Sequence, residues 1–417
     1  MIMAMKESGI EWVGLIPDGW KIAKNNRLFN ISKQLVNENW KNTQLLSLTK
    51  SGIIEKNIND GGGKQPESFG TYQYVEKDDI VLCLFDIDVS AVFSDRSKYD
   101  GMISPAYRVM KCTDAILPVY AKWWFDAVNI GRYYLIYTKS LRKTIDADGF
   151  GNILSVVPPL SEQQAIADYL DKTCSKIDEI IAEAKASIDE YKELKQSVIF
   201  EAVTKGLDKN VEMKQCSVNW LDEIPSTWES IRLKYLLTEI NNRSKTGTEQ
   251  PLSVSQVMGV VPSYMIAVAN PTASYVGQKI VEPNDIVFNK LKAHLGVFFM
   301  SKYHGLVSPD YAVYRTNDKV IPKYLEYLFH TSACISEFKK YISGVAEGLM
   351  RLYTSNLFNI RICLPKVDEQ IKIVEYVENK VELFNSLISE KESLINDLEA
   401  YKKSLIYEVV TGKRRVV

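Results

Sequence analysis

The sequence predicts an α+β protein built as two tandem copies of one module, each a globular domain followed by a very long helix. Three observations predict it. Residues 161–204 and 368–411 align at one constant offset with no gap, and 13 of the 44 aligned positions are identical, among them Glu162/Glu369, Gln163/Gln370, Ile181/Ile388 and Ile188/Ile395. Short boxes repeat in the same order ahead of both helices. Between those boxes lie short apolar runs bounded by Gly, Asn and Asp, the pattern of strands and turns.

Taken in order, residues 5–20 (MKESGIEWVGLIPDGW) match residues 213–228 (MKQCSVNWLDEIPSTW), with Trp12/Trp220, Pro17/Pro225 and Trp20/Trp228 in register. These tryptophans read as core and staple residues rather than base-stacking platforms. Asp79 to Phe85 and Asp285 to Phe288, with Val297 to Met300, read as strands. GMISPAYRV (101–109) matches GLVSPDYAV (305–313). An amphipathic helix opening at Pro118 or Pro322, and reaching Tyr134 or Tyr341, is expected to cover the sheet. Offsets drift slightly through the domains and hold constant in the long helices, so loops changed length while the helices did not.

The long helices carry their own boundaries. Pro158, Pro159 and Pro365 cannot lie inside a helix, Ser161 and Asp368 can accept from free first-turn N–H groups, and Ser161 with Gln164 fits a capping box. Gly206 and Gly412 stand where helices end in the left-handed conformation. At 1.5 Å per residue each helix spans roughly 60 to 65 Å. Leu170, Ile177, Ile181 and Ile188 on the first, and Val381, Phe384, Ile388, Ile395 and Leu398 on the second, form a four-three apolar stripe. Ile180, Leu194, Leu387, Leu394 and Tyr401 widen it. Burying large apolar side chains is worth about 1.5 to 3 kcal/mol each, so the stripes are expected to pair. Both occur in one chain, which favours an intramolecular pair over a coiled coil between chains. The periodicity does not choose between parallel and antiparallel.

The composition, 46% hydrophobic and 25% charged, is that of a soluble globular protein. No signal peptide and no stretch approaching 18 apolar residues is present, so a cytoplasmic protein without a membrane partner is expected. Six scattered cysteines without a C-x-x-C read as buried thiols. A formal charge of −1 is neutral on nucleic acid, since a basic surface can be masked by acidic helices elsewhere. With three histidines, a histidine-based catalytic or metal site has little material.

Motifs for catalysis are missing. Asn270-Pro271-Thr272 lacks the second proline and aromatic residue of an adenine methyltransferase, Gly149-Phe150-Gly151 does not complete a G-x-G-x-x-G loop, and Gly61-Gly62-Gly63-Lys64 lacks phosphate-loop spacing. Asp146-Ala147-Asp148-Gly149 has Val157 where a calcium loop needs Glu, and reads as a turn. Asp86 and Asp88 are expected to alternate along a strand and share a face, more in a structural role than as ligands.

The run E-W-V-G-L-I-P-D-G-W, the G-(I/L)-(I/V)-S-P-x-Y box, P-P-L-S-E-Q-Q-A-I at 158–166 and helices ending V-T-x-G or V-T-G-K resemble the specificity subunits of type I restriction-modification systems, the HsdS family. The resemblance covers nearly the whole chain. In one place the first half departs, carrying Cys83-Leu84-Phe85-Asp86 where the second has Asn289-Lys290-Leu291-Lys292. The resemblance implies two target recognition domains, residues 1–158 and 208–364. Spacer helices over 159–207 and, with the tail, 365–417 would pair as an antiparallel coiled coil with pseudo-twofold symmetry. It implies a non-catalytic subunit that reads a bipartite double-stranded DNA sequence and recruits two methyltransferase subunits, with two restriction subunits where the system has them. S-adenosylmethionine, ATP and magnesium would then be confined to the partners.

For DNA contacts the candidates are polar and basic residues in turn-rich segments: Lys64, Gln65, Tyr72, Arg142 and Lys143 in the first half, and Lys290, Lys292, His294 and Arg351 in the second, with Lys279 as a weaker choice. Arg or Lys pairs with guanine, Gln or Asn with adenine, and any cation can hold a phosphate. The alternative function is a coiled-coil scaffold whose globular ends bind proteins.

Overall fold

The computed structural model describes residues 4–32, 34–58, 68–90, 92–138, 142–218, 220–266, 274–343 and 351–416. The chain divides into two compact units, one made of residues 1–185 with 392–417 and the other of residues 186–391. The seven helices described are α1 (Pro118–Ile130), α2 (Ala147–Asn152), α3 (Leu160–Lys205), α4 (Pro322–Phe329), α5 (Ser332–Lys340), α6 (Thr354–Leu357) and α7 (Val367–Val410).

In the first unit, Met5–Glu7 pairs antiparallel with Leu15–Pro17, and Lys21–Lys24 with Leu154–Val157. A four-stranded antiparallel sheet runs Phe29–Ile31, Arg108–Cys112, Ile80–Leu82, Ser94–Arg96. A second sheet runs Gly52–Lys56, Leu45–Thr49, Gly101–Ile103, Gln73–Val75, with one parallel contact between Leu45 and Met102. The central strand is covered on both faces: the consecutive residues Ile80, Val81 and Leu82 are all fully buried, and α1 buries Tyr120, Trp124 and Phe125. Trp12 stacks on Tyr133 at 4.1 Å, and Trp20 is buried.

The second unit repeats this plan. Leu237–Ile240, Ala312–Thr316, Ile286–Phe288 and Phe298–Met300 form a sheet in the same order, and Glu229–Arg232 pairs with Arg361–Leu364 as Lys21–Lys24 does with Leu154–Val157. The covering helix differs. The first half keeps α1 to Ile130 and then tightens to a 3-10 turn, whereas the second breaks into α4 and α5, where Thr331 caps Cys334 N–H with its hydroxyl. The expected strand at Asp79 to Phe85 is shorter, Ile80–Leu82. Asp86 and Asp88 lie beyond it in a loop with Asp86 at φ +48°, so they do not share a strand face.

The long helices α3 and α7 pack together antiparallel. In the first unit Lys402 contacts Asp178 at 2.6 Å; in the second Lys195 donates to Asn385 at 3.0 Å and Tyr191 faces Phe384. Within the first unit Trp20 meets Glu162 at the start of α3 and Gly412 just past α7, while Asp178 farther along α3 meets Lys402 farther back on α7, so numbers fall along α7 as they rise along α3. Leu170, Ile177, Ile181, Ile188 and Ile395 are buried, while Val381, Phe384, Ile388 and Leu398 are half-buried. Of the residues expected to widen the stripe, Ile180, Leu194, Leu394 and Tyr401 are exposed and Leu387 is half-buried. These exposed positions lie off the seam, because a two-helix contact buries little more than one stripe per helix.

Candidate nucleic-acid interface

Each domain grips the start of one long helix and the end of another. Trp20 Nε1 donates to Glu162 at 2.9 Å, and Trp228 Nε1 to Glu369 at 3.1 Å. Gln163, fully buried, accepts from Leu117 N–H and donates to the carbonyls of Ala115 and Pro158; Gln370 does the same with Ile321, Lys319 and Pro365. The hydroxyl of Tyr120 donates to Val410 O at 3.3 Å at the end of α7, and that of Tyr324 to Val203 O at 2.8 Å near the end of α3. The helix-start expectation is corrected here. α3 begins at Leu160, Gln164 bonds Asp168, and Gln163 rather than a Ser161–Gln164 box satisfies the surrounding groups. Gly206 and Gly412 do end the helices at φ +76° and +74°.

With the scaffold shared, the repeat isolates the positions where the two domains differ. In the second, Lys290 opens a turn, Lys290–Leu295, with its Nζ 3.5 Å from Glu239. Lys292 is exposed on that turn, and His294 Nδ1 is buried with no hydrogen-bond partner among the described residues. Arg351 is exposed, its backbone paired with Ser343, and the next residue, Leu352, donates to Lys290 O. The 290–295 turn and Arg351 are thus neighbours. Lys279 is not available to a ligand: it is 4% exposed, donates to Tyr311 O at 2.7 Å, and burial holds its ammonium below its ordinary pKa.

In the first domain, Arg142 and Lys143 are exposed and their carbonyls accept from Asp86 and Ile87 N–H, so they flank the 86–90 loop. Arg132 clamps the same loop through Ile87 O and Ser90 O. Tyr72 is half-buried, its ring edge-on to Phe69 at 4.9 Å, a packing position. Lys64 and Gln65 lie outside the described residues. Asp146 accepts from Gly149 N–H and caps α2, as a turn residue does.

Sequence reasoning missed a cleft of about 580 Å3 in the first domain, lined by Asn26, Asn30, Ser32, Gln73, Arg108 and Asp148 among others. Gln73, at the position of Lys279, donates to Tyr107 O at 3.0 Å as Lys279 does to Tyr311 O. The repeat places Ala312 opposite Arg108 and Phe358 opposite Gly151. That alignment was the available signal. Among the described residues no group of three or more His, Cys, Asp or Glu is placed to hold a metal, and no helix is long and apolar enough to cross a membrane.

Residues 225–397 match the family model described as Type I restriction modification DNA specificity domain. The EcoKI type I restriction enzyme specificity subunit of Escherichia coli (strain K12) is 23% identical over 238 residues, 53% of this chain and 49% of that protein. The chain thus spans about half the length of the curated relative it matches. A chain solved in work on complex assembly and conformational transition of the type I R-M system superposes with a TM-score of 0.70 at 13% identity, covering 96% of this chain and 99% of that one. The HsdS subunit from Thermoanaerobacter tengcongensis gives 0.57 at 15% identity over 96% and 98%. At these identities the likeness to solved structures is one of fold. A type I specificity domain is matched in the second half, the same boxes and strand order repeat in the first, and the fold of HsdS subunits is shared along nearly the whole chain; together these support a type I restriction-modification specificity subunit.

Proposed function

We propose that this chain is the DNA sequence-specificity subunit of a type I restriction-modification complex, in which each domain reads one half of a bipartite duplex site and the paired helices set the spacer and dock methyltransferase subunits. The observation that carries the reading is the pair of domains with one scaffold and different chemistry at matching places: half-buried Lys290 and exposed Lys292 on the turn of one, buried Leu84 and half-buried Asp86 in the other. A protein that must read two unlike half-sites needs that combination. Two half-sites at fixed separation also call for a spacer of fixed length, because half-site spacing mirrors protein geometry.

Ile180 and Leu194 on α3, and Leu383, Leu394 and Tyr401 on α7, are exposed apolar side chains that favour protein partners on the helices. Restriction subunits would join where the system has them. The chain itself would catalyse nothing, leaving S-adenosylmethionine, ATP and magnesium to those partners.

Selection from a random duplex library by the chain co-expressed with its neighbouring methyltransferase tests this. A gapped two-part consensus is expected, with affinity falling steeply as salt rises from about 50 to 200 mM, since several phosphates are neutralised. Binding without sequence preference would overturn it and favour the scaffold reading.

A further inference from the structure

We infer that Arg108 is a base-reading residue of the first domain, taking the edge of a guanine from the cleft beside strand Arg108–Cys112; the inference rests on the proposed DNA-reading function and names a residue for it. The repeat is an internal control. Ala312 stands at the matching place in the second domain, at the same end of the same central strand, so the scaffold does not require an arginine there.

Arg108 is half-buried, yet among the described residues its guanidinium has no hydrogen-bond, ion-pair or aromatic partner. Four other cations of the domain are engaged, Arg96 with Asp78 at 3.1 Å, Lys111 with Glu76 at 2.7 Å, Lys122 with Asp126 at 2.8 Å and Arg132 with two carbonyls, whereas exposed ones such as Arg142 and Lys143 stay solvated. Holding a charge half out of water without compensation costs stability. Such a group is better explained by a ligand than by the fold.

The space around it fits that ligand. The cleft of about 580 Å3 presents Asn26, Asn30 and Asp148, whose side chains make no hydrogen bond among the described residues, so donors and acceptors remain free beside the cation. Gly151 lines it without a side chain; the second domain has Phe358 at that position, its ring 5.8 Å from Tyr314. An arginine fork matches guanine O6 and N7 in the major groove, and free amides beside it can read a neighbouring base. Asp148 in the same wall disfavours a phosphate, which would meet its negative charge.

The test selects sites with the wild-type complex and with Arg108→Ala and Arg108→Lys. Arg108→Ala is expected to lose on the order of 10- to 100-fold preference for guanine at one position of one half-site, the range a bidentate pair carries, with the other half-site unchanged. Arg108→Lys keeps the charge without the fork and is expected to hold DNA but lose the same preference. Replacing that guanine by 7-deazaguanine, which keeps O6 and loses N7, should cost the wild type part of that preference and Arg108→Ala nothing further. An unchanged first half-site in Arg108→Ala, equal weakening on every sequence, or full guanine preference in Arg108→Lys overturns the assignment while leaving DNA reading intact. A wild type that selects no sequence removes the proposed function instead.

Discussion

Two buried aspartates at matching places show how one residue changes an environment. Asp285 is held by a bidentate pair with Arg315, at 2.8 and 2.9 Å. Its counterpart Asp79 accepts the Glu76 N–H in the way Asp285 accepts that of Glu282, but Lys111, at the place of Arg315, reaches Glu76 instead. A lysine carries one point charge and cannot serve as the fork does. Burial therefore holds the Asp79 carboxyl above its ordinary 3.8, with the Glu76 N–H and Lys111 opposing in part. The folded state then binds this proton more tightly than the unfolded chain, so protonation adds stability as pH falls through the raised value toward 3.8, and that gain is lost as pH rises. Urea unfolding between pH 7 and 4 should show wild type gaining on Asp79→Asn as pH falls, and Lys111→Arg should shrink the gain by supplying the fork. Parallel curves for wild type and Asp79→Asn would refute the assignment. The sequence showed both aspartates in register; it could not show which carboxylate each cation reaches.

At the scale of elements, the helix starts were legible in position but not in mechanism. Prolines and a constant offset located them, yet the capping expectation fell on Ser161 and Gln164, exposed positions on the outer turn, while buried Gln163 satisfies three backbone groups. The reason is tertiary: the groups that need partners belong to the strand exit and to the loop before α1, which local sequence rules do not see. Gln163→Ala removes the partner of one N–H and two carbonyls, of which the Pro158 carbonyl is buried and the other two partly so, and a loss on the order of 1 to 3 kcal/mol follows. Gln370→Ala should cost as much in the second unit, and Gln164→Ala next to nothing. Equal effects of Gln163→Ala and Gln164→Ala in urea unfolding would contradict this account. The covering helix was read as one piece in both halves. It breaks in the second because Thr331 accepts the Cys334 N–H at 3.3 Å and starts a new helix, a competition that apolar periodicity does not register.

At the scale of the whole molecule, the duplication was legible because it is written in offsets, and offsets survive divergence of the surface. The cleft at Arg108 was not, since it depends on Gly151 and Phe358 being compared across the repeat and on which way strand side chains point. The two units share both helices: α3 passes from one to the other after Lys185 and α7 after Lys391. Under the proposed spacer role those two junctions are the places to change length without touching either domain. One heptad inserted at each keeps the apolar stripe in phase and adds about 10 Å of helix, close to three base-pair rises. The complex so altered should select the same two half-sites with the gap between them lengthened by about three base pairs, as read by sequencing of methylated or bound DNA. A heptad inserted in α3 alone would leave seven residues unmatched in α7, and is expected to cost stability instead of moving the gap. Altered half-sites with an unchanged gap would show that the helices do not measure the distance.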